Sequence, residues 1–129
     1  MKKILLIEDN KDIRENIVEL LELEGYKVTA VANGRAGLQL AKEQLPDIIL
    51  SDVIMPELTG HDVYSELKKD EITRFIPFVF ITSSVEKKEM QEAINKGVDG
   101  YIQKPFEEKE LLDVVKYCIK IKCDTPSAS

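Results

Sequence analysis

Cysteine and histidine are scarce in this 129-residue chain, which has two cysteines and one histidine. Cys118 and Cys123 are far along the chain from His61, so the sequence offers neither a zinc-binding cluster nor a redox CxxC motif. Cys118 continues the helical spacing of Leu111 and Val115, which predicts a packed helix residue. We expect Cys123 to lie in a polar tail, and His61 to be a solvated residue at the start of a helix with no catalytic role.

Positive charge is also in deficit, because 18 Lys and Arg residues stand against 24 Asp and Glu residues and the formal net charge is −6. This balance disfavours general attraction to nucleic acid or to anionic lipid. The apolar run at residues 4–7 is far shorter than a membrane span, and no signal-peptide pattern precedes it. We therefore expect a cytoplasmic protein that makes no direct contact with nucleic acid and does not insert into membranes.

The length and the composition, 43% hydrophobic and 33% charged, favour one compact domain. Apolar runs alternate with amphipathic segments along this domain. They predict strands at 4–7, 27–32, 48–50, 78–81 and 101–103, and helices from the cap Asn10 to Gly25 and at 35–44, 62–69, 86–96 and 107–121. Such alternation favours an α/β fold with a single doubly wound, five-stranded parallel sheet and helices on both faces. We expect residues 1–122 to form the domain, and residues 123–129 to be a disordered tail or the start of a cut linker.

Chemically active side chains stand directly after four of the predicted strands. Glu8 and Asp9 follow the first strand, Asp52 the third, Thr82 the fourth and Lys104 the fifth. Because the carboxyl ends of parallel strands meet at one edge of a sheet, we expect these groups to converge there.

Three carboxylates in one place repel each other unless a cation neutralises them. Oxygen ligands with open coordination positions suit Mg²⁺, which accepts phosphate oxygens, and Lys104 and Thr82 offer further contacts to a phosphoryl group. Asp52, at the end of the central strand, is the expected nucleophile, and its product would be an aspartyl phosphate.

The segments ILLIED at 4–9, DVIMP at 52–56, TS at 82–83 and KPF at 104–106 occur in this order, with Asn10 and Gly60 between them. Over about residues 2–121 this pattern resembles the receiver domain of two-component response regulators, which has a flavodoxin-like fold. The resemblance implies a phosphorelay protein in which Asp52 accepts a phosphoryl group from a sensor histidine kinase or a histidine phosphotransfer protein. It further implies that Mg²⁺ is held by Glu8, Asp9, Asp52 and the backbone carbonyl of Ile54, and that Lys104 pairs with the phosphate.

By the same resemblance, Thr82 is drawn toward the phosphoryl group and Tyr101 changes rotamer with it, so that the two residues form a switch. The Lys104–Pro105 peptide bond is expected to be cis. The output face would comprise the helices at 86–96 and 107–121 with the strand between them. A downstream effector protein, or an output domain missing from the C-terminus, would bind this face. Whether phosphorylation drives homodimer formation stays open.

Three other functions are compatible with the same architecture. A receiver-like adaptor that works without phosphorylation is disfavoured because every expected site residue is present. A Mg²⁺-dependent aspartate phosphatase would carry a second Asp two residues after the nucleophile, where this chain has Ile54. A nucleotide or flavin binder would need a glycine-rich loop after the first strand. We therefore expect no enzyme activity beyond self-phosphorylation from small phosphodonors and slow autodephosphorylation.

Overall fold

The computed structural model of the chain describes residues 2–83 and 87–124. Within them the strands are β1 (Lys3–Ile7), β2 (Lys27–Val31), β3 (Ile48–Asp52), β4 (Phe78–Thr82) and β5 (Gly100–Gln103). The helices are α1 (Lys11–Leu23), α2 (Gly34–Gln44), α3 (Gly60–Lys69), α4 (Lys87–Lys96) and α5 (Glu108–Asp124). A 3-10 helix at Thr73–Phe75 was not predicted, because three residues are too few to give a periodic pattern.

The five strands form one parallel sheet in the order β2-β1-β3-β4-β5. Successive residues of β1 point to opposite faces, so Leu6 packs with the residues of α1 and α5, and Leu5 packs with those of α2, α3 and α4. Both faces are therefore buried under helices, as the continuous apolar runs predicted. The predicted doubly wound α/β fold is confirmed.

Local signals fix where several of the helices begin and end. The Asn10 side chain accepts a hydrogen bond from the Ile13 backbone N–H at 3.0 Å, and Gly25, with φ of 92°, follows the end of α1. Thr59 and Asp62 form a capping box at the start of α3. Since Asn10 immediately follows the acidic pair after β1, this cap holds the start of α1 beside the predicted site.

The loop between β3 and α3 folds back against the end of β3. The Gly60 N–H donates to the Val53 carbonyl at 2.8 Å, and a Cβ atom at Gly60 would collide with the Asp52 carbonyl oxygen. Glycine is therefore required for this close approach of two backbone segments. The contact between Gly60 and the end of β3 determines the path of the chain directly after Asp52.

The C-terminal helix differs from its prediction. Cys118 is buried in α5, as its helical spacing predicted. The helix continues to Asp124, three residues beyond its predicted end at residue 121. Residues 125–129, the rest of the predicted tail, lie outside the described residues. In the described ranges, no helix combines the length and apolar character needed to span a membrane.

Tyr64 ties α3 to the end of α4. Its hydroxyl donates to the Lys96 carbonyl at 2.8 Å, and its ring packs edge-on against Phe78. We expect Tyr64→Phe to lower the free energy of unfolding by about 1 kcal/mol, because it removes one hydrogen bond and little apolar contact. Urea denaturation measures this loss, and Tyr117→Phe, at a ring 63% exposed on α5, is the control. Equal losses in both variants would contradict the assigned role of the hydroxyl.

Candidate functional site

Three carboxylates meet at the carboxyl ends of β1 and β3, which are neighbours in the sheet. Ligand oxygens from Glu8, Asp9 and Asp52 all lie within 4.8 Å of one another. Glu8 and Asp52 are buried, at 1% and 8% exposure, whereas Asp9 is exposed to solvent. The structure therefore brings together the three acids that the strand ends predicted.

The ammonium group of Lys104 lies against two of these acids. Its Nζ atom is 2.6 Å from Glu8 Oε1 and 3.3 Å from Asp52 Oδ2. The Lys104 backbone N–H donates to the Thr82 carbonyl at 2.7 Å, which fixes the chain after β5 to the end of β4. The peptide bond that follows, Lys104–Pro105, is cis, as expected. The Lys104 ammonium thus lies against two of the three clustered carboxylates.

Burial raises the pKa of Glu8 to about 7, although the hydrogen bond from Lys104 lowers it and nearby Asp52 raises it further. Burial lowers the pKa of Lys104, but its hydrogen bond to Glu8 and the charge of Asp52 outweigh this, so the net shift is upward. Lys104 is therefore charged at neutral pH, and the raised pKa lets Glu8 take up a proton near neutral pH. A divalent cation would relieve the same excess of negative charge, and the all-oxygen donor set fits Mg²⁺.

Two contacts that the sequence did not predict hold Glu8 in place. The backbone N–H of Asn10 donates to Glu8 Oε2 at 3.2 Å, and Arg14 Nη1 donates to the Glu8 carbonyl oxygen at 2.9 Å. Arg14 lies in the second turn of α1, so its side chain reaches back over the first turn to the end of β1. No sequence motif predicts this contact, because it depends on the angle between α1 and β1.

Thr82 and Tyr101 lie on the neighbouring strands β4 and β5. Thr82 is fully buried, Tyr101 is half-buried, and their side chains share a hydrogen bond. Burial and the charge of Glu89 raise the pKa of the Tyr101 phenol, whereas the hydrogen bond with Thr82 lowers it. Ile54, in the loop after β3, has a 64% exposed side chain. The two residues of the predicted switch therefore lie on neighbouring strands, and the side chain of Ile54 faces solvent.

His61 corrects a prediction made from the sequence. It lies in the first turn of α3, as expected, but its ring is half-buried and packs edge-on against Phe80 at a centroid distance of 4.8 Å. Lys96 Nζ lies 3.2 Å from its Nδ1 atom. Burial and the Lys96 charge lower the pKa of His61, so it is neutral at pH 7. The expected solvated residue is instead part of the contact between α3 and α4.

A surface groove of about 410 Å³ adjoins Lys104. It is lined by Ile13, Asn16, Ser83, Lys104, Pro105 and Phe106. The first two residues come from α1 and the others from the segments that follow β4 and β5. The groove therefore combines apolar and polar side chains, and Lys104 connects it to the acidic cluster.

Sequence comparisons find relatives that are kinases and response regulators. The chain matches the family described as response regulator receiver domain over residues 4–116. Histidine kinase P4 of Formosa agariphila is 42% identical over 107 residues, which cover 83% of this chain and 8% of that protein. Response regulator SaeR of Staphylococcus aureus (strain USA300) is 33% identical over 112 residues, 87% of this chain and 48% of that protein. The chain thus spans less than half the length of either relative.

Solved structures agree with these relatives. A response regulator receiver domain protein from Clostridium thermocellum is 30% identical with a TM-score of 0.88, covering 95% of this chain and 98% of that one. The receiver domain of a sensor histidine kinase from Pseudomonas aeruginosa PAO1 is 31% identical with a TM-score of 0.82, covering 92% and 98%, and it has a magnesium ion coordinated in its active site cleft. Since the family match covers most of the sequence and the fold agrees with it, this chain belongs to the response regulator receiver domain family.

Proposed function

We propose that this chain is a phospho-accepting receiver in which Asp52 takes a phosphoryl group from a phosphohistidine. The donor is a sensor histidine kinase or a histidine phosphotransfer protein. One observation carries the proposal. The Asp52 carboxylate lies in a cluster with two further carboxylates, and its Oδ2 atom is 3.3 Å from the Lys104 ammonium. A nucleophile surrounded by metal ligands and one cation is suited to phosphoryl transfer, which depends on positioning and charge neutralisation.

Glu8, Asp9, Asp52 and the backbone carbonyl of Ile54 are the proposed ligands of Mg²⁺. The clustered oxygens of the three acids support this assignment, because hard oxygen donors are what Mg²⁺ requires. Bound there, the ion would neutralise charge on the oxygens of the phosphoryl group. The magnesium ion in the related Pseudomonas aeruginosa receiver lends further support.

The transfer itself requires few groups of this chain. An Asp52 carboxylate oxygen attacks phosphorus, and the bond from phosphorus to the donor's imidazole nitrogen breaks, leaving its electron pair on the imidazole. Lys104, which bonds Glu8 and Asp52 in the unphosphorylated chain, would move its ammonium toward a phosphoryl oxygen. The product is an aspartyl phosphate, and the chain acts without turnover apart from self-phosphorylation by small donors and slow autodephosphorylation.

Thr82 and Tyr101 are the proposed switch. The Thr82 hydroxyl would turn toward the phosphoryl group, and this would release the side chain of Tyr101 from the hydrogen bond that the two residues share. A phosphoryl group acts in this way by favouring one of two existing arrangements. The changed surface would be that of α4, β5 and α5, where an effector protein, an output domain or a second copy of the chain would bind.

The groove beside Lys104 is the proposed docking place of the phosphodonor, and the proposed location of this chain is the cytoplasm. Phe106 and Ile13 offer apolar contact there, directly next to the ammonium group. A donor helix seated in the groove would bring its phosphohistidine to Asp52 without crossing the rest of the surface.

Intact-mass analysis after incubation with acetyl phosphate tests the proposed function. We expect one phosphoryl adduct that forms only with Mg²⁺, is cleaved by hydroxylamine as acyl phosphates are, and maps to the peptide containing Asp52. No adduct and no released phosphate would refute phosphorylation and favour the adaptor. Rapid phosphate release without an adduct would favour the phosphatase.

A further inference from the structure

A second surface groove, of about 330 Å³, lies at the edge of the sheet opposite the acidic cluster. Pro77, which directly precedes β4, and Asp99, which directly precedes β5, both line it, so the groove lies at the amino ends of these parallel strands. Side chains from α3, from the 3-10 helix and from α5 complete the lining. A molecule bound in this groove would leave the acidic cluster accessible.

Three apolar side chains in this groove are exposed to solvent. The exposed fractions are 57% for Phe75, 63% for Tyr117 and 46% for Ile121. Tyr117 and Ile121 are one turn apart on α5, and Phe75 belongs to the 3-10 helix. Single exposed apolar residues are common, but several grouped in one groove are typical of a protein-binding surface, and aromatic residues are enriched there.

The 3-10 helix is anchored firmly beneath these side chains. The buried Thr73 hydroxyl donates to the Leu67 carbonyl at 2.8 Å, and Asp70 Oδ1 accepts from the Thr73 backbone N–H at 3.2 Å. Lys68 Nζ donates to the Arg74 carbonyl at 2.7 Å and so ties α3 to the same segment. A surface held in this way loses little conformational freedom when a partner binds to it.

The groove is positively charged, although the chain as a whole has a formal net charge of −6. The Arg74 guanidinium carbon lies over the Phe75 ring, 4.9 Å from its centre, and has no carboxylate partner within the described residues. Lys68 adds a second cation. Asp99, the one acidic residue in the lining, already accepts a hydrogen bond from the Phe78 backbone N–H at 2.9 Å. Arginine stacked on an aromatic ring is well suited to bind a carboxylate through two parallel hydrogen bonds.

We propose that this groove binds an acidic, apolar segment of a partner protein. Apolar side chains of the segment cover Phe75, Tyr117 and Ile121, and a carboxylate next to them accepts hydrogen bonds from Arg74. Charge complementarity argues for the acidic partner, and the exposed apolar side chains argue for a protein segment rather than a free anion. Because the groove and Asp52 lie at opposite edges of the sheet, binding needs neither Mg²⁺ nor a phosphoryl group. The inference is therefore independent of the proposed function.

Titration of the unphosphorylated chain with a short synthetic peptide tests the inference. In the probe, leucine and phenylalanine alternate with glutamates, and in the control peptide glutamines replace the glutamates. We expect the acidic peptide to shift the backbone amide signals of Arg74, Phe75 and Tyr117 in NMR spectra. It should bind at least about tenfold more tightly than the control peptide, as expected for a hydrogen bond between charged groups.

Variants of the groove identify the groups that bind the peptide. Arg74→Gln should weaken binding of the acidic peptide about tenfold and remove most of its dependence on salt, whereas Arg35→Gln, at an exposed position on α2, should have no effect. Phe75→Ala should weaken binding at least about fivefold. Leu23→Ala removes a side chain 76% exposed at the end of α1 and should leave the affinity unchanged. Urea denaturation should show that all four variants fold normally, since each replaced side chain is exposed.

Three results would overturn the inference. Equal losses in Arg74→Gln and Arg35→Gln would indicate general attraction between opposite charges. Amide shifts that are absent, or that are confined to other surfaces, would show that the groove does not bind such a segment. Self-association of the chain that Arg74→Gln abolishes would identify the occupant as a second copy of the chain.

Discussion

The substitution Asp52→Asn is expected to abolish the Mg²⁺-dependent phosphoryl adduct and to raise the free energy of unfolding of the metal-free protein. The amide has nearly the same shape as the carboxylate but is not a nucleophile for phosphorus. It also removes one of three clustered negative charges, while the 2.6 Å contact between Lys104 and Glu8 is kept. We expect a gain of about 1 kcal/mol, because residues selected for function are often unfavourable for stability.

Intact-mass analysis and urea denaturation without Mg²⁺ measure the two effects. Asp113→Asn makes the same change at an exposed position on α5 and should alter neither. An adduct that persists in Asp52→Asn would contradict the assignment of the phosphorylated residue. Loss of the adduct together with a loss of stability would show that Asp52 has a structural role beyond the charge cluster.

The second large effect concerns pH and depends on Glu8. Its folded-state pKa is raised from 4.5 to about 7, mainly because burial disfavours the charged form. Between these values the folded chain retains a proton that the unfolded chain has lost. Stability from Glu8 is therefore fully present below about pH 4.5 and declines as the pH rises toward 7. We expect a decline of about 2–3 kcal/mol in the metal-free protein.

Urea denaturation at several pH values, compared between the unmodified chain and Glu8→Gln, isolates this contribution. Carboxyl groups of low pKa, such as Asp62 and Asp70, titrate in a more acidic range and contribute equally to both proteins. The difference in the free energy of unfolding between the two proteins should change between about pH 4.5 and pH 7. Adding Mg²⁺ should make this change smaller. Parallel curves would show that Glu8 keeps an ordinary pKa in the folded chain.

The sequence predicts the fold well because each short apolar run is typical of a strand that is buried on both faces. Each predicted strand lies within two residues of the observed one, and the parallel arrangement places their ends at one edge. Glu8, Asp9 and Asp52 could therefore be predicted as neighbours from strand ends alone. Their roles, and that of Lys104, remain predictions until phosphorylation is measured.

Features that depend on the relative placement of elements were missed. The contact of Arg14 with the Glu8 carbonyl and the burial of His61 against Phe80 arise from how helices lie on the sheet. Lys104 contacts both Glu8, at 2.6 Å, and Asp52, at 3.3 Å, and the sequence does not predict which contact is shorter. The predicted end of α5 followed the last periodic apolar residue, Ile121, whereas the helix ends at Asp124.

The strand order separates the acidic cluster from the proposed output face. The acidic cluster stands on β1 and β3, each of which is paired on both sides, whereas Tyr101 belongs to β5, which has one neighbour and forms the margin of the sheet. Residues on the inner strands are constrained by packing above, below and beside them, so they tolerate little change. A marginal strand and its flanking helices are less constrained. On the proposed function, substitutions at this margin would change the binding partner without disturbing the acidic cluster at the centre of the sheet.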